Sequence, residues 1–259
     1  MDFITKITSS QNPAIKRLKL LLVKSRERKR QSCFVIEGER ELLRAMEKGY
    51  QLESIFVKEK YLKDFQLKTK APFFELNEAL FNSISIRSGS EKIIAIVKSK
   101  THRLDQLKLN KKSLVLVVEA PEKPGNIGAL LRTASAAGMD AVIISNPRTD
   151  LYHPTVVRNS LGGVFALSIA LDSSENVINY LKEKSLNIMA AALSEKAQDY
   201  KKVSYTRPTA LVFGAEDMGL SSIWLEQADV IVKIPVKPPI DSLNLSVSAG
   251  ILMYHVIED

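Results

Sequence analysis

Three short segments in the C-terminal half carry the residues that could do chemistry: Asn126-Ile-Gly-Ala-Leu-Leu-Arg132, Gly214-Ala-Glu-Asp-Met-Gly219 and Ile234-Pro-Val-Lys-Pro-Pro-Ile-Asp-Ser-Leu-Asn-Leu-Ser246. Each sets uncharged polar groups or glycines directly after an apolar run, where a strand gives way to a loop or helix. Ligands of open α/β sheets sit outside the carboxyl ends of the strands, so three such edges predict one site built from three loops. Glycine there lets the backbone come close to a ligand. Asparagine, serine and glutamate supply hydrogen bonds, and Arg132 supplies a cation.

Several other chemistries have no signature in the sequence. No G-x-G-x-x-G follows an apolar run and no G-x-x-x-x-G-K-[ST] occurs, so the ordinary dinucleotide and nucleoside-triphosphate fingerprints are missing. The nucleophile elbow G-x-S-x-G is also missing. His102, His153 and His255 are isolated and Cys33 is the sole cysteine, so neither a metal centre nor an internal disulfide is expected.

The elements that must position these residues fall into two groups. Asn12-Pro13 has the chemistry of a helix start, and the helix after it carries Leu18, Leu21 and Leu22 on one side and ends in Lys24–Arg30. Strands are expected at Cys33–Ile36, Leu52–Val57, Ala71–Phe74 and Ile93–Val97, and helices at Glu39–Lys48, Lys60–Phe65 and Asn77–Ile84. Residues 98–112 are polar and basic and read as a linker, which divides the chain into residues 1–105 and 106–259. The second group opens with the β-branched run Leu114–Val118, the pattern of a strand buried on both faces. A helix near Ile127–Ala137 follows, then strands at Ala141–Ile144, Ala166–Ala170, Ile188–Ala191, Ala210–Phe213 and Val230–Ile234, and a last helix from about Leu243 to Val256. Such alternation predicts a parallel sheet with helices on both sides.

Composition adds a partner class. The 259 residues are 45% apolar and 25% charged, as in an ordinary globular protein, and no run is long enough to span a membrane. With one cysteine and no apolar signal core after Met1, a cytoplasmic location is expected. The net charge of +8 is uneven: residues 1–112 hold 25 Lys and Arg against 13 Asp and Glu, a balance of +12, and residues 113–259 hold 12 against 16, a balance of −4. A basic half beside a mildly acidic one points to a polyanion-binding module, with nucleic acid as the polyanion. Each basic residue taken alone reads more readily as a solvated surface charge than as a specific contact.

Taken together the three segments resemble the SpoU (TrmH-like) family of RNA ribose 2′-O-methyltransferases of the SPOUT superfamily. The family's N-x-G-x-x-x-R is matched by Asn126, Gly128 and Arg132; its G-x-E-x-x-G-[LIM] by Gly214, Glu216, Gly219 and Leu220; its I-P-M-x-G-x-x-x-S-L-N-V-S by Ile234, Pro235, Ser242, Leu243, Asn244 and Ser246. Val236 stands where the family has methionine and Pro238 where it has glycine; the proline removes a backbone N–H and fixes φ. The likeness covers residues 114–257 closely. Less specifically, Phe34–Gly38 and Ile94–Val97 resemble an L30e/L7Ae-type substrate-binding domain. The fold implied is α/β: a small L30e-like domain, then a parallel sheet with helices on both sides that ends in a trefoil knot.

The resemblance implies transfer of a methyl group from S-adenosylmethionine to a ribose 2′-oxygen, with no metal. It places Arg132, Asn126, Glu216, Ser242 and Asn244 in catalysis, and Gly214, Ile234, Leu243, Pro235 and Leu220 at the cofactor. Family proposals make the arginine a base; a fixed cation that stabilises the developing alkoxide suits a guanidinium better. Each residue also has a plainer reading. Arg132 could pair with an acidic neighbour on a helix face, Asn126 could cap its helix or orient Arg132, and Glu216 could be a solvated turn residue. Ser242 and Asn244 could be caps, and Ile234 and Leu243 ordinary core. RNA-binding candidates are Lys16, Arg17, Lys19, Arg26, Arg28, Arg30 and Arg87, with a weaker edge at Arg158, Asn159, Ser160 and Gly162. A homodimer through the C-terminal domain is implied, and ribosomal RNA is favoured over transfer RNA; thiostrepton-resistance methyltransferases share this arrangement. The competing classes are an RNA-binding or assembly factor that has kept the fold without the activity, motivated by Pro238, and a base methyltransferase.

Overall fold

The structure is a computed structural model that describes residues 4–65, 67–86 and 90–258. It divides into two compact units: the residues up to Thr101 with Tyr152–Phe165, and His102–Leu151 with Ala166 onward. The division is discontinuous, which a single cut near residue 105 does not express.

The first unit is built on a mixed five-stranded sheet. Its elements are β1 (Ile4–Ile7), α1 (Pro13–Val23), α2 (Ser25–Gln31), β2 (Cys33–Glu37), α3 (Glu39–Glu47), β3 (Leu52–Lys58), a 3-10 turn at Glu59–Asp64, β4 (Phe73–Leu76), α4 (Glu78–Asn82) and β5 (Ile93–Lys98). The strand order is β1-β4-β3-β5-β2, parallel between β1, β4 and β3 and antiparallel on either side of β5. Strand β1 was not expected, because only Ile7 of its four residues is buried and no alternation marks it. The strand expected at Ala71–Phe74 lies two residues later. The helix expected at Lys60–Phe65 is the 3-10 turn, and that at Asn77–Ile84 shortens to Glu78–Asn82, with Asn77 as its cap accepting from Leu80 N at 2.8 Å.

Strand β2 is buried along its whole length and its two faces meet different neighbours. Cys33 and Val35 join Ile15, Leu18 and Leu21 of α1 in one core. The Cys33 thiol is pushed up to about 11, first by burial and then by its contact with the Glu53 carboxylate. On the other face the Phe34 ring stacks on Tyr152 at 4.1 Å between centroids, and Tyr50 meets Phe165 edge-on at 5.1 Å. The hydroxyls of Tyr50 and Tyr152 lie 3.1 Å apart, and Lys100 N donates to Tyr152. These contacts tie the segment Tyr152–Phe165 into the first unit.

The helix expected to run on through Lys24–Arg30 is two helices. Lys24 is extended (φ −105°, ψ 107°) and breaks the chain between α1 and α2. Arg28 folds back across this break to donate to Leu21 O at 2.7 Å and Leu22 O at 3.3 Å, carbonyls at the end of α1. Arg28 is 3% exposed, so its assignment to RNA binding is corrected: it caps a helix.

The second unit is a seven-stranded sheet in which every pairing is parallel. In chain order come β6 (Leu114–Glu119), α5 (Pro124–Ala136), β7 (Ala141–Ser145), then α6 (Pro154–Asn159) and α7 (Gly163–Ala166), of which α6 belongs to the first unit. They are followed by β8 (Ser168–Asp172), α8 (Ser174–Glu183), β9 (Asn187–Ala191), β10 (Gln198–Asp199), β11 (Thr209–Phe213), α9 (Ser222–Gln227), β12 (Val230–Lys233) and α10 (Leu245–Glu258). The order is β10-β12-β9-β11-β6-β7-β8. Val115, Val117, Ile143, Ile188 and Val212 pack under Val177, Ile178 and Leu181 of α8 and the fully buried Trp224 of α9. The alternate strand residues face the other way, where α10 packs against α5 and β11. No described helix is long and apolar enough to cross a membrane.

Replacing Arg28 with alanine strips two carbonyls of their buried donor. A loss of about 1–3 kcal/mol is expected, read from the denaturant midpoint, and RNA affinity of the folded variant should stay unchanged.

Candidate active site

The three motif segments follow β6, β11 and β12. Because the sheet is parallel, all three leave it at the same, carboxyl end, and β6 and β11 are direct neighbours. Pro124 takes the first position of α5, where its missing N–H is no loss, and Lys123 is the N-cap residue. Asn126 therefore lies inside the first turn and does not cap the helix.

Its side chain does other work. Asn126 Nδ2 donates to Glu216 Oε1 at 2.8 Å, and Asn126 Oδ1 accepts from Asn244 Nδ2 at 3.2 Å. Asn244 Oδ1 in turn accepts from Ser246 N at 2.9 Å and from Ser246 Oγ at 2.7 Å, which makes Asn244 the cap of α10. One amide thus joins residues from all three segments. Glu216 also accepts from Glu122 N at 3.4 Å. Burial pushes the Glu216 carboxyl up, but the Asn126 amide and the backbone N–H groups outweigh it and hold it below the usual carboxylate range.

The loop that carries Glu216 is closed on itself. Ala215 and Gly219 exchange backbone hydrogen bonds of 3.1 and 3.0 Å. A Cβ at Gly214 would lie 2.0 Å from the Gly219 carbonyl carbon and 2.2 Å from Leu220 N, so this loop admits only glycine there. Gly219 has φ +67°. Leu220 is buried in the core with Trp224, so its side chain is used for packing.

The remaining expected site residues are placed less tightly. Arg132 is exposed, and no described residue pairs with it. It does not bond to Asn126: at about 3.6 residues per turn, six residues bring it roughly a third of a turn away from that side chain. Ile234 is half-buried, while Pro235, Ser242 and Leu243 are exposed. Met218 (81% exposed), Ile240 (55%) and Leu243 (37%) leave apolar surface on the loops after β11 and β12. Among the described residues no cluster of three His, Cys, Asp or Glu could hold a metal ion.

Of the residues expected at RNA, Lys16, Arg26 and Arg30 are exposed and Lys19 is half-buried. Arg30 pairs with Glu27 at 2.7 Å. Arg17 pairs with Glu53 at 2.7 Å and donates to Gln31 Oε1, so its guanidinium is already engaged. Arg87 lies outside the described residues. Ser160 is 1% exposed and donates to Val157 O at 2.9 Å, and a Cβ at Gly162 would meet Arg44 Cδ at 2.5 Å. Both are structural, which corrects the reading of these two residues as RNA contacts; at the same edge Arg158 is exposed and Asn159 half-buried. Sequence reasoning missed Glu119, a carboxyl group buried at the end of an otherwise apolar strand, whose acidic type at that position was the available signal.

Residues 113–254 match the SpoU rRNA Methylase family, and residues 12–95 match the MRM3-like substrate binding domain. The chain is 28% identical over 251 residues to the 23S rRNA (guanosine(2553)-2′-O)-methyltransferase RlmP of Bacillus subtilis, covering 97% of this chain and 98% of that protein. A solved RNA 2′-O ribose methyltransferase is 36% identical with a TM-score of 0.84, covering 98% of both chains. An AdoMet-bound rRNA methyltransferase from Sinorhizobium meliloti shares the fold, at 24% identity and a TM-score of 0.91 over 98% of both chains.

The lowered Glu216 carboxyl sets a pH signature. Its contribution to stability is complete above the ordinary carboxylate range and is lost as pH falls through its depressed folded value. Glu216→Gln should therefore be less stable than the unaltered protein near neutral pH, and the two should converge in acid. Thermal melts across pH check this.

Proposed function

Because the chain belongs to the SpoU rRNA methylase family, we propose that it is an S-adenosylmethionine-dependent RNA methyltransferase that methylates a ribose 2′-hydroxyl, with ribosomal RNA as substrate. The observation that carries this reading is the Glu216–Asn126–Asn244 chain, which draws three separated segments to one point at the carboxyl end of the sheet. The residues present fit the donor. Gly214 keeps the loop backbone tight, and Met218, Ile240 and Leu243 offer the uncovered apolar surface that a purine would cover. Gly214, Leu220, Ile234, Pro235 and Leu243 form the cofactor wall in this reading, with Leu220 contributing backbone only.

When bound, S-adenosylmethionine supplies a methyl group already activated on its sulfonium. The protein has then to align the hydroxyl and handle its proton. Alignment can supply most of the acceleration, up to roughly 7–11 kcal/mol. Arg132 is the catalytic residue: exposed, and unpaired among the described residues, its guanidinium is available to stabilise charge that develops on the 2′-oxygen and to grip a neighbouring phosphate. Ser242 and Asn244 orient the ribose, and Asn126 and Glu216 fix the loops around it.

The division of labour follows the charge. Residues 1–105 form the RNA-binding domain, of L30e/L7Ae type, and residues 106–259 the methyltransferase domain, with the chain after β12 completing a trefoil knot. Lys16, Lys19 and Arg26 offer the cations for phosphate contacts, which give salt-dependent affinity, and the exposed Arg30 can join them by exchanging Glu27 for a phosphate. Splayed bases and RNA shape choose the target. The protein acts in the cytoplasm as a homodimer through its C-terminal domain, where Val247 and Tyr254 of α10 expose apolar surface for a second copy.

Transfer of labelled methyl to unmodified ribosomal and transfer RNA, run in parallel, tests the reading. Label in ribosomal RNA, stable to alkali as a 2′-O-methyl dinucleotide, is expected; no label in either RNA from folded protein would overturn it. Arg132→Ala should lower the transfer rate by at least about 100-fold, with cofactor affinity within about twofold on calorimetric titration.

A further inference from the structure

Outside the three motif segments, one carboxyl group is buried close behind the glycine-rich loop. Glu119, at the carboxyl end of β6, is 5% exposed. Its Oε1 accepts from Ser174 Oγ at 2.9 Å and from Ser221 Oγ at 2.7 Å, and its Oε2 accepts from Ser221 N at 2.8 Å. Ser174 Oγ also accepts from Trp224 Nε1 at 3.0 Å and from Asn146 Nδ2 at 2.9 Å. A hydroxyl has one donor and two acceptor positions. All three of Ser174 are used, so its proton points at Glu119 and the group there must accept.

Ser221 is the residue that ends the loop. It follows Leu220 directly and is the N-cap residue of α9, yet its side chain makes no capping bond and turns to Glu119 instead. The loop is thus gripped at separate points. Ala215 and Gly219 close its neck, Glu216 ties it to Asn126, and Glu119 holds its exit through Ser221. Resting on the methyltransferase reading above, we propose that Glu119 is a positioning residue for the cofactor loop. It touches neither cofactor nor RNA, and acts by fixing where the backbone of residues 214–220 meets the cofactor.

Glu119→Gln tests this, because it keeps the volume and replaces one acceptor with a donor. If Nε2 faces Ser221 N, two donors oppose each other. If it faces the hydroxyls, Ser174 Oγ meets a third donor and its own proton loses its acceptor. In the full-length, cofactor-free variant, amide exchange at residues 218–221 should accelerate about tenfold while that of α5 stays unchanged. On titration with S-adenosylmethionine the Kd should rise roughly tenfold, with the rate at saturating cofactor within about threefold. Glu119→Asp, still acceptor-only, should recover part of the loss. Ser221→Ala, which removes only a hydroxyl, should shift both readouts the same way by less, and it serves if the glutamine variant does not fold. Unchanged exchange and unchanged Kd in a folded variant would overturn the proposal, as would a lower melting temperature with unchanged Kd. Absence of cofactor binding by the unaltered protein would instead count against the methyltransferase reading, and the exchange comparison would still decide whether Glu119 holds the loop.

Discussion

Asn126 has a single side-chain amide, and both ends of it are committed to other loops: Nδ2 to Glu216 and Oδ1 to Asn244. The arrangement has one polarity. Glu216 can only accept when ionised, so Asn126 must donate to it, which turns Oδ1 toward Asn244. Asn244 Oδ1 is then free to cap α10 through Ser246. Helix α5, the glycine-rich loop and the start of α10 are set by one series of bonds. In the proposed reaction this register sets the alignment, since Arg132 projects from α5 and Ser242 precedes Asn244 by two residues.

The sheet makes that register possible. Parallel β6, β11 and β12 bring their carboxyl ends to one edge, and the buried strands beneath leave little room for that edge to shift. Close packing reaches into the loop itself, where Gly214 has the backbone of Gly219 and Leu220 in the space of its missing side chain. A second buried network behind the edge, centred on Glu119, ties the starts of α8 and α9 to the end of β6. The site is therefore held from both faces of the sheet by polar groups whose donors and acceptors are matched.

Much of this was legible in the sequence because it is local. The apolar, valine-rich run Leu114–Val118 has the pattern of a strand buried on both faces, and its parallel neighbours followed from the alternation of elements. The glycines and polar residues after the strands marked the three loops. What was not legible depends on distant partners. Arg28 looks like one more cation of a basic helix, and only the fold reveals that it serves the carbonyls of Leu21 and Leu22. Asn126 looked like a cap, but Pro124 starts the helix two residues earlier. Nothing in the segment Tyr152–Phe165 announces that Tyr152 stacks on Phe34, more than a hundred residues away.

Asn126 and Glu216 are bonded as one unit, and a double-mutant cycle on methyl transfer to ribosomal RNA measures directly whether they act as one. With Asn126→Ala, Glu216→Ala and the double variant, the second substitution should cost little once the first is made. The coupling expected is about 1–2 kcal/mol in the transfer barrier. Additive losses would show that the two residues work separately and would contradict the account.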